Sequence, residues 1–280
     1  MKKQIIYIGT YLLLTGSINS SYANKETIGT NVATQSTAQK IQEQTIKLDI
    51  YKIENKGDKK LVQIKLTSVK DNKPVTLQDL KEIHTQKIHL LIIDDELEDY
   101  SHKHPKALKE PGLYEFEWSP KKKQGTYRIW ADLFPLNTNS QEYVIADLLS
   151  DKDKASKINR NMLISSTLDG YKFELSFDTD PLMAGSPTMG KIIVTDSKGN
   201  SVNDLEPIMG TFAHIVGFYD DIKTVVHIHP MGKEPLKSTD RSGPEVEFHI
   251  EPAKSGFVKL FAQVKIHGKE LFVPFGIIIK

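Results

Sequence analysis

Residues Lys87–Pro105 read KIHLLIIDDELEDYSHKHP, and residues Phe212–Pro230 read FAHIVGFYDDIKTVVHIHP. Each is an apolar run of strand length, an acidic turn and a second extended run closed by His-x-His-Pro. Short apolar runs bounded by turn residues read as strands, so each stretch predicts a strand folding back near Asp94-Asp95-Glu96 or Asp220-Asp221. The histidines are in step: His89, His102, His104 and Pro105 recur as His214, His227, His229 and Pro230, displaced by 214 − 89 = 125 positions. Only nine histidines occur in 280 residues, so a trio repeated at fixed spacing marks an internal duplication. The match extends without a gap from Val69–Pro105 onto Val194–Pro230, aligning Asp71 with Asp196, Lys73 with Lys198, Asp79 with Asp204, Leu80 with Leu205 and Asp95 with Asp220.

Working outward, the flanking sequence is a series of short alternating or apolar runs. The first half contains Lys47–Ile53, Lys60–Ser68, Leu113–Trp118 and Thr126–Phe134, broken by Asn55-Lys56-Gly57 and Pro111-Gly112. The second contains Tyr171–Phe177, Lys191–Val194, Glu245–Ile250, Phe257–Val264 and Leu271–Ile279. About seven short strands per half, with hardly any helical periodicity, predict an all-β chain of two tandem immunoglobulin-like or cupredoxin-like β-sandwiches. A short helical turn is expected at Thr76–Glu82, and a loop at its proline-bearing counterpart Ser201–Pro207. The domains are placed at 42–148 and 158–280, joined by the charged segment 149–157.

The N-terminus predicts export. Lys2 and Lys3, the apolar stretch Ile5–Leu14 and the small-residue end Ser21-Tyr22-Ala23 have the form of a signal peptide over 1–23. Residues 24–41 follow as a polar flexible leader, and no later run reaches the length of a membrane span. There is no cysteine, which excludes disulfides, thiolate metal sites, a blue-copper centre and a lipid-bearing cleavage point. Lys and Arg number 37 against 36 Asp and Glu; without Lys2 and Lys3 the balance is 35 − 36 = −1, well mixed, which argues against nucleic acid or anionic membranes as partners.

Side chains two apart on a strand share a face, so His102 projects with His104, and His227 with His229. In a hairpin, His89 stands close to position 104, and the three imidazoles of a copy can converge. Five residues before each trio stand His84 and, at the matching place, Met209, an exchange that keeps copper-ligating ability. The ligand sets are therefore His84, His89, His102 and His104 in the first domain, and Met209, His214, His227 and His229 in the second. Met183, Met189 and Met231 are weaker additions; His249 and His267, absent from the other copy, are expected to be ordinary surface or packing residues. Neutral nitrogen and thioether donors suit copper first and zinc next, while calcium and magnesium want oxygen.

The phrases His89-Leu-Leu-Ile-Ile-Asp, Tyr100-Ser-His-Lys-His-Pro105, Asp204-Leu-Glu-Pro-Ile-Met-Gly and His227-Ile-His-Pro230 resemble those of exported bacterial proteins with YtkA-like or FixH-like β-sandwich domains. The resemblance covers residues 45 to 280 and implies an immunoglobulin-like or cupredoxin-like fold with a binding role in periplasmic metal handling. The expected protein is thus a periplasmic or secreted metal binder, one ion per domain, for storage, delivery or resistance. Two other classes stand beside it: a non-enzymatic envelope module contacting another exported protein, and a three-histidine zinc hydrolase. No repeated general acid or base accompanies the histidines, which weighs against catalysis.

Overall fold

The computed structural model describes residues 44–122, 125–150 and 157–280. The signal peptide, the leader and most of the linker expected from the sequence lie outside the described residues. Strands of the first half are β1 (Ile46–Lys56), β2 (Lys59–Ser68), β3 (Ile88–Asp94), β4 (Ser101–Lys103), β5 (Lys106–Ala107), β6 (Leu113–Trp118), β7 (Tyr127–Leu133) and β8 (Glu142–Leu149). Those of the second are β9 (Ser165–Leu168), β10 (Tyr171–Phe177), β11 (Thr188–Thr195), β12 (Ala213–Tyr219), β13 (Val225–Pro230), β14 (Glu245–Glu251), β15 (Gly256–Ile266) and β16 (Lys269–Ile279). A 3₁₀ turn, Leu77–Asp79, falls where the sequence expects a helical turn; Ser201–Pro207 is a loop. Among the described residues no helix is long and apolar enough to cross a membrane.

In the first half two antiparallel sheets, ordered β1-β2-β6-β5 and β4-β3-β7-β8, close on one core. Alternation sends Leu48, Ile64, Leu90, Ile92, Phe116, Trp118 and Ile129 into it, all buried. The second half reaches the same sandwich through one continuous sheet, β16-β15-β12-β13-β14-β11-β10-β9. It folds over at β13, which pairs with β12 at Val225 and Val226 and then with β14 from His227 to Pro230. The first half makes this change of sheet with an interruption. Its β4 pairs with β3 and β5 with β6, and the unpaired step between them is His104-Pro105, where proline supplies no N–H for a ladder. The repeated His-x-His-Pro is thus the place where each sandwich turns from one layer to the other.

The two sandwiches share a third core. Residues Ile88, Leu90 and Ile92 of β3 face their own domain, so Leu91 and Ile93 face out, and there they meet Val216 and Phe218 from the matching face of β12. Leu97, Tyr100, Trp130, Phe257 and Phe261 complete the cluster. Trp130 stands opposite Leu91, and Phe261 opposite Val216, so the two large rings occupy equivalent rungs. Trp130 packs on Phe218 at 5.2 Å between ring centroids, and Phe261 on Tyr100 at 4.9 Å. The contact is bordered by Lys259 Nζ on Glu98 Oε1 at 2.9 Å and by an Arg128 guanidinium N–H donated to the Ile222 carbonyl at 2.6 Å. Trp130→Ala is expected to cost about 3–5 kcal/mol in denaturant unfolding, the range for truncating a buried large aromatic. A loss below about 1 kcal/mol would mean that this layer packs loosely.

Candidate metal centre between the two domains

The same alternation that turns Leu91 and Ile93 outward turns His89 outward, onto the face met by the second sandwich. The β3–β4 register pairs Leu90 with Lys103 and Leu91 with His102, which places His104 directly across from His89, as the hairpin reading expects. The ligating nitrogens of His89, His102 and His104 all lie within 4.8 Å of one another. His89 Nδ1 is 3.1 Å from His102 Nε2 and 3.2 Å from His104 Nε2. A tetrahedral ion with Zn–N near 2.0–2.1 Å sets its ligand nitrogens roughly 3.3 Å apart.

The far side of each of two rings is already fixed. His89 Nε2 lies 2.9 Å from the Ile83 carbonyl, which can only accept, so that nitrogen carries the proton. Gln263 Nε2 donates to Glu270 Oε2 at 3.0 Å, which presents its amide oxygen to His102 Nδ1 at 3.0 Å. His102 is therefore protonated at Nδ1. In the neutral rings, His89 Nδ1 and His102 Nε2 then face each other as lone pairs at 3.1 Å. His104 can direct an N–H at His89, but the lone pair of His102 still points into the centre. These three nitrogens could hold a metal ion, with outer hydrogen bonds of the kind that orient metal-bound imidazoles.

The rings are held neutral. Burial lowers the pKa of His89 to about 4 and drives that of His102 well below the ordinary value; burial lowers His104 as well. His214, from the second domain, is lowered to about 3, by burial first and then by its histidine neighbours. Its ring lies 4.8 Å from that of His102 and is stacked 6.3 Å from that of His89. The sequence gives one ligand set to each domain and leaves open whether the domains share a site; the structure sets His214 against the first-domain trio, so the histidine cluster straddles the interface.

His84 and Met209 both sit at the first central position of a two-residue turn. The turns are closed by reciprocal backbone bonds between Ile83 and Gln86 and between Ile208 and Thr211. Left-handed backbone is required there (φ 48° and 68° at His84 and Thr85, 51° and 77° at Met209 and Gly210). The two turns approach each other: a Cβ on Gly210 would stand 3.7 Å from Thr85 Cγ2. The His84 ring lies 6.5 Å from His89 and 6.2 Å from His214. Met209 is half-buried on its own turn. His229 is exposed at the end of β13, on a rung with His249. His227 lies on the rung of Glu251. Met189 shares a rung with His249, Met183 and Met231 are exposed, and His267 is a surface residue paired with Asp204 at 2.7 Å.

Residues invisible to motif reading complete the surroundings. Beside the trio opens a cavity of about 290 Å³, lined among others by His84, His214, His229, Asp132, Gln141 and Tyr143. Asp132 accepts from Gln141 Nε2 at 2.7 Å, and burial raises its carboxyl to about 7. At the opposite end of the hairpin, Asp94 and Glu96 are bonded to Lys122, which keeps the acidic tip away from the histidines. Lys122 is thus an ion-pair partner of both carboxylates.

No curated protein matches the chain. Among solved structures, FdeC, an Escherichia coli adhesin, is 12% identical over 84% of this chain and 64% of that one, with a TM-score of 0.27. MtrC from Shewanella baltica is 8% identical over 85% and 69%, at 0.26, and the Yersinia pseudotuberculosis adhesin InvE is 10% identical over 80% and 54%, at 0.25. The chain thus spans a little under two thirds of the first of these. One family model matches twice, over residues 37–144 and 166–280, in step with the two sandwiches. The protein accordingly belongs to the family described as Domain of unknown function (DUF8832), of which it carries two copies.

Proposed function

We propose that the protein is an exported, envelope-associated binder of a transition metal, copper or else zinc, held between its two domains for storage, delivery or resistance. The observation that carries this is the pair of lone-pair nitrogens, His89 Nδ1 and His102 Nε2, set 3.1 Å apart by hydrogen bonds on the far side of each ring. Neutral imidazoles without thiolate suit copper and zinc. The charged, apolar and small-residue order of residues 1–23 supports export. Protein purified without a polyhistidine tag, with copper and zinc offered together, is expected to retain metal on elemental analysis after gel filtration. Zero metal under both reducing and oxidising conditions would overturn the proposal.

A second reading has its own support. His102 to Gln263 is a bond between domains, and the histidines adjoin the shared apolar core. Imidazoles that only cement two sandwiches would make the chain a structural or interaction module of the cell envelope. The metal-free outcome above selects it.

A further inference from the structure

We propose that the interdomain cavity beside the trio is a binding site for a small amine with an apolar body, its ammonium group held by the carboxylate of Asp132. The site is independent of the trio: it uses none of His89, His102 and His104 and needs no ion in place.

The walls set the class of ligand. At about 290 Å³ the cavity stands near the lower end of the range for small-molecule sites, about 300–1,000 Å³. That is room for one ring and a short arm, since a dry cavity of about 150 Å³ takes up benzene. Phe134, Ile215, Val226 and Ile228 are among the apolar side chains that make up most of the wall. Such a surface binds a hydrocarbon body by burial and leaves orientation to the few polar groups set into it. Apart from three histidines, Asp132 is the one lining residue with an acidic or basic side chain. Burial lowers the pKa of His84 and of His214, so at neutral pH these two rings add no positive charge to oppose a cation.

Asp132 is placed to receive a cation and has none. Its Oδ1 accepts from Gln141 Nε2 at 2.7 Å, and no lysine or arginine among the described residues acts on it. Its Oδ2 accepts from no described residue and, unlike the sealed Nδ1 of His214, keeps accessible surface. The residue is only half-buried, yet burial raises its carboxyl to about 7, so that surface opens onto an enclosed space and not onto bulk water. A carboxylate ionised in such a place is costly until a cation joins it. The same Gln141 amide donates to the Tyr143 hydroxyl at 3.0 Å, which fixes the polar end of the cavity before a ligand arrives.

The internal repeat shows what is unusual about this carboxylate. Asp132 stands across from His89 in the β3–β7 ladder as Gln263 stands across from His214 in the β12–β15 ladder, so the two are equivalent rungs. Gln263 is fully engaged, with His102 over the interface and with Glu270 on its own sheet. Asp132 has one bond, within its own domain, and its free oxygen faces the cavity.

The test is isothermal titration calorimetry of the full tag-free chain, stripped of metal with a chelator, at pH 8. The probes are benzylamine, benzyl alcohol and benzoate, which share a ring and differ in the charge of the head group. Benzylamine is expected to bind saturably and about tenfold or more tighter than benzyl alcohol, with benzoate the weakest. Asp132→Asn keeps an acceptor for Gln141 and should bring the amine down to the affinity of the alcohol, leaving the alcohol unchanged. Ile228→Phe, which adds bulk to the wall, should weaken amine and alcohol together. No saturable binding of benzylamine to wild type overturns the site. So does an amine that binds no tighter than the alcohol or the benzoate, or one whose advantage survives Asp132→Asn. Because the chain is metal-free throughout, each of these outcomes leaves the reading of the trio to its own metal analysis.

Discussion

A chain carrying both His89→Ala and His102→Ala is expected to bind one ion fewer than wild type, because each ring supplies a lone pair to the centre of the trio. His104, on the unpaired step beside Pro105, would then be the single ring of the trio left. Deleting Gln263 tests the same geometry from its far side. Gln263→Leu removes the acceptor that fixes the His102 tautomer and leaves all three ligands in place, so affinity should fall by about 10- to 100-fold without a change in ion count. Glu270→Ala, one step further out, frees the Gln263 amide to rotate and should fall short of that loss. The measurement is competition against a chromophoric chelator at fixed pH. A double variant that keeps the wild-type ion count would show that the trio is not the site. Because the two alanines also remove hydrogen bonds, near-UV circular dichroism must first show an intact interface, and His89→Gln/His102→Gln provides a less disruptive pair.

Mass action adds a stability readout. An ion that binds only the native state, present at about 1,000 times its dissociation constant, contributes about 4 kcal/mol. For a chain of this size that is a rise in Tm of roughly 8–16 °C. The double variant should lose the part of the rise that the trio supplies.

Much of this architecture is legible in the one-dimensional pattern, for identifiable reasons. The repeat spacing is visible because histidine is rare here, and the hairpin register follows from strand geometry: His89 falls across from His104 once the chain folds back at the acidic turn. Strand alternation likewise places His102 and His104 together. The meeting of the domains is not legible from the histidines, since His102 finds Gln263 across 161 positions of sequence. A signal for it does exist in β3. Ile88–Ile93 is apolar at every position except His89, and a strand apolar on both faces must be covered on both. Glutamine and aspartate on equivalent rungs, Gln263 and Asp132, carry no motif and align only once the ladders are known. The His84–Met209 exchange has a local cause that its chemistry conceals: both hold a left-handed turn position, where histidine is among the residues that tolerate positive φ.

Acid is expected to loosen the metal-free protein well above the pH at which carboxylates titrate. Burial holds His89 near pKa 4 in the native chain, against about 6.5 when unfolded, so between those values the unfolded chain binds more protons. Stability therefore rises with pH across that window, and acidification from pH 6.5 toward 4 removes it. For His89, which is 4% exposed, the gap corresponds to roughly 3 kcal/mol. His84, His102, His104 and His214 shift in the same direction, each through burial first. Asp132 opposes them. Its carboxyl, raised to about 7, binds a proton more readily in the native state, so its contribution is present at low pH and is lost as pH rises through 7. Two raised carboxyls, Asp132 and Asp95, against five imidazoles leave the net sign with the histidines. Protons also compete with metal for the same nitrogens, so the loaded protein should release its ion over the acidic part of this range. Urea midpoints of the metal-free chain at pH 7.5, 6, 5 and 4 measure the first effect. They should fall steadily, and His89→Gln, which cannot take up the proton, should flatten the slope by roughly 3 kcal/mol over the full window. A midpoint that climbs on acidification, or a slope that His89→Gln leaves untouched, would mean that these rings are hydrated in the native state and that the interface does not enclose them.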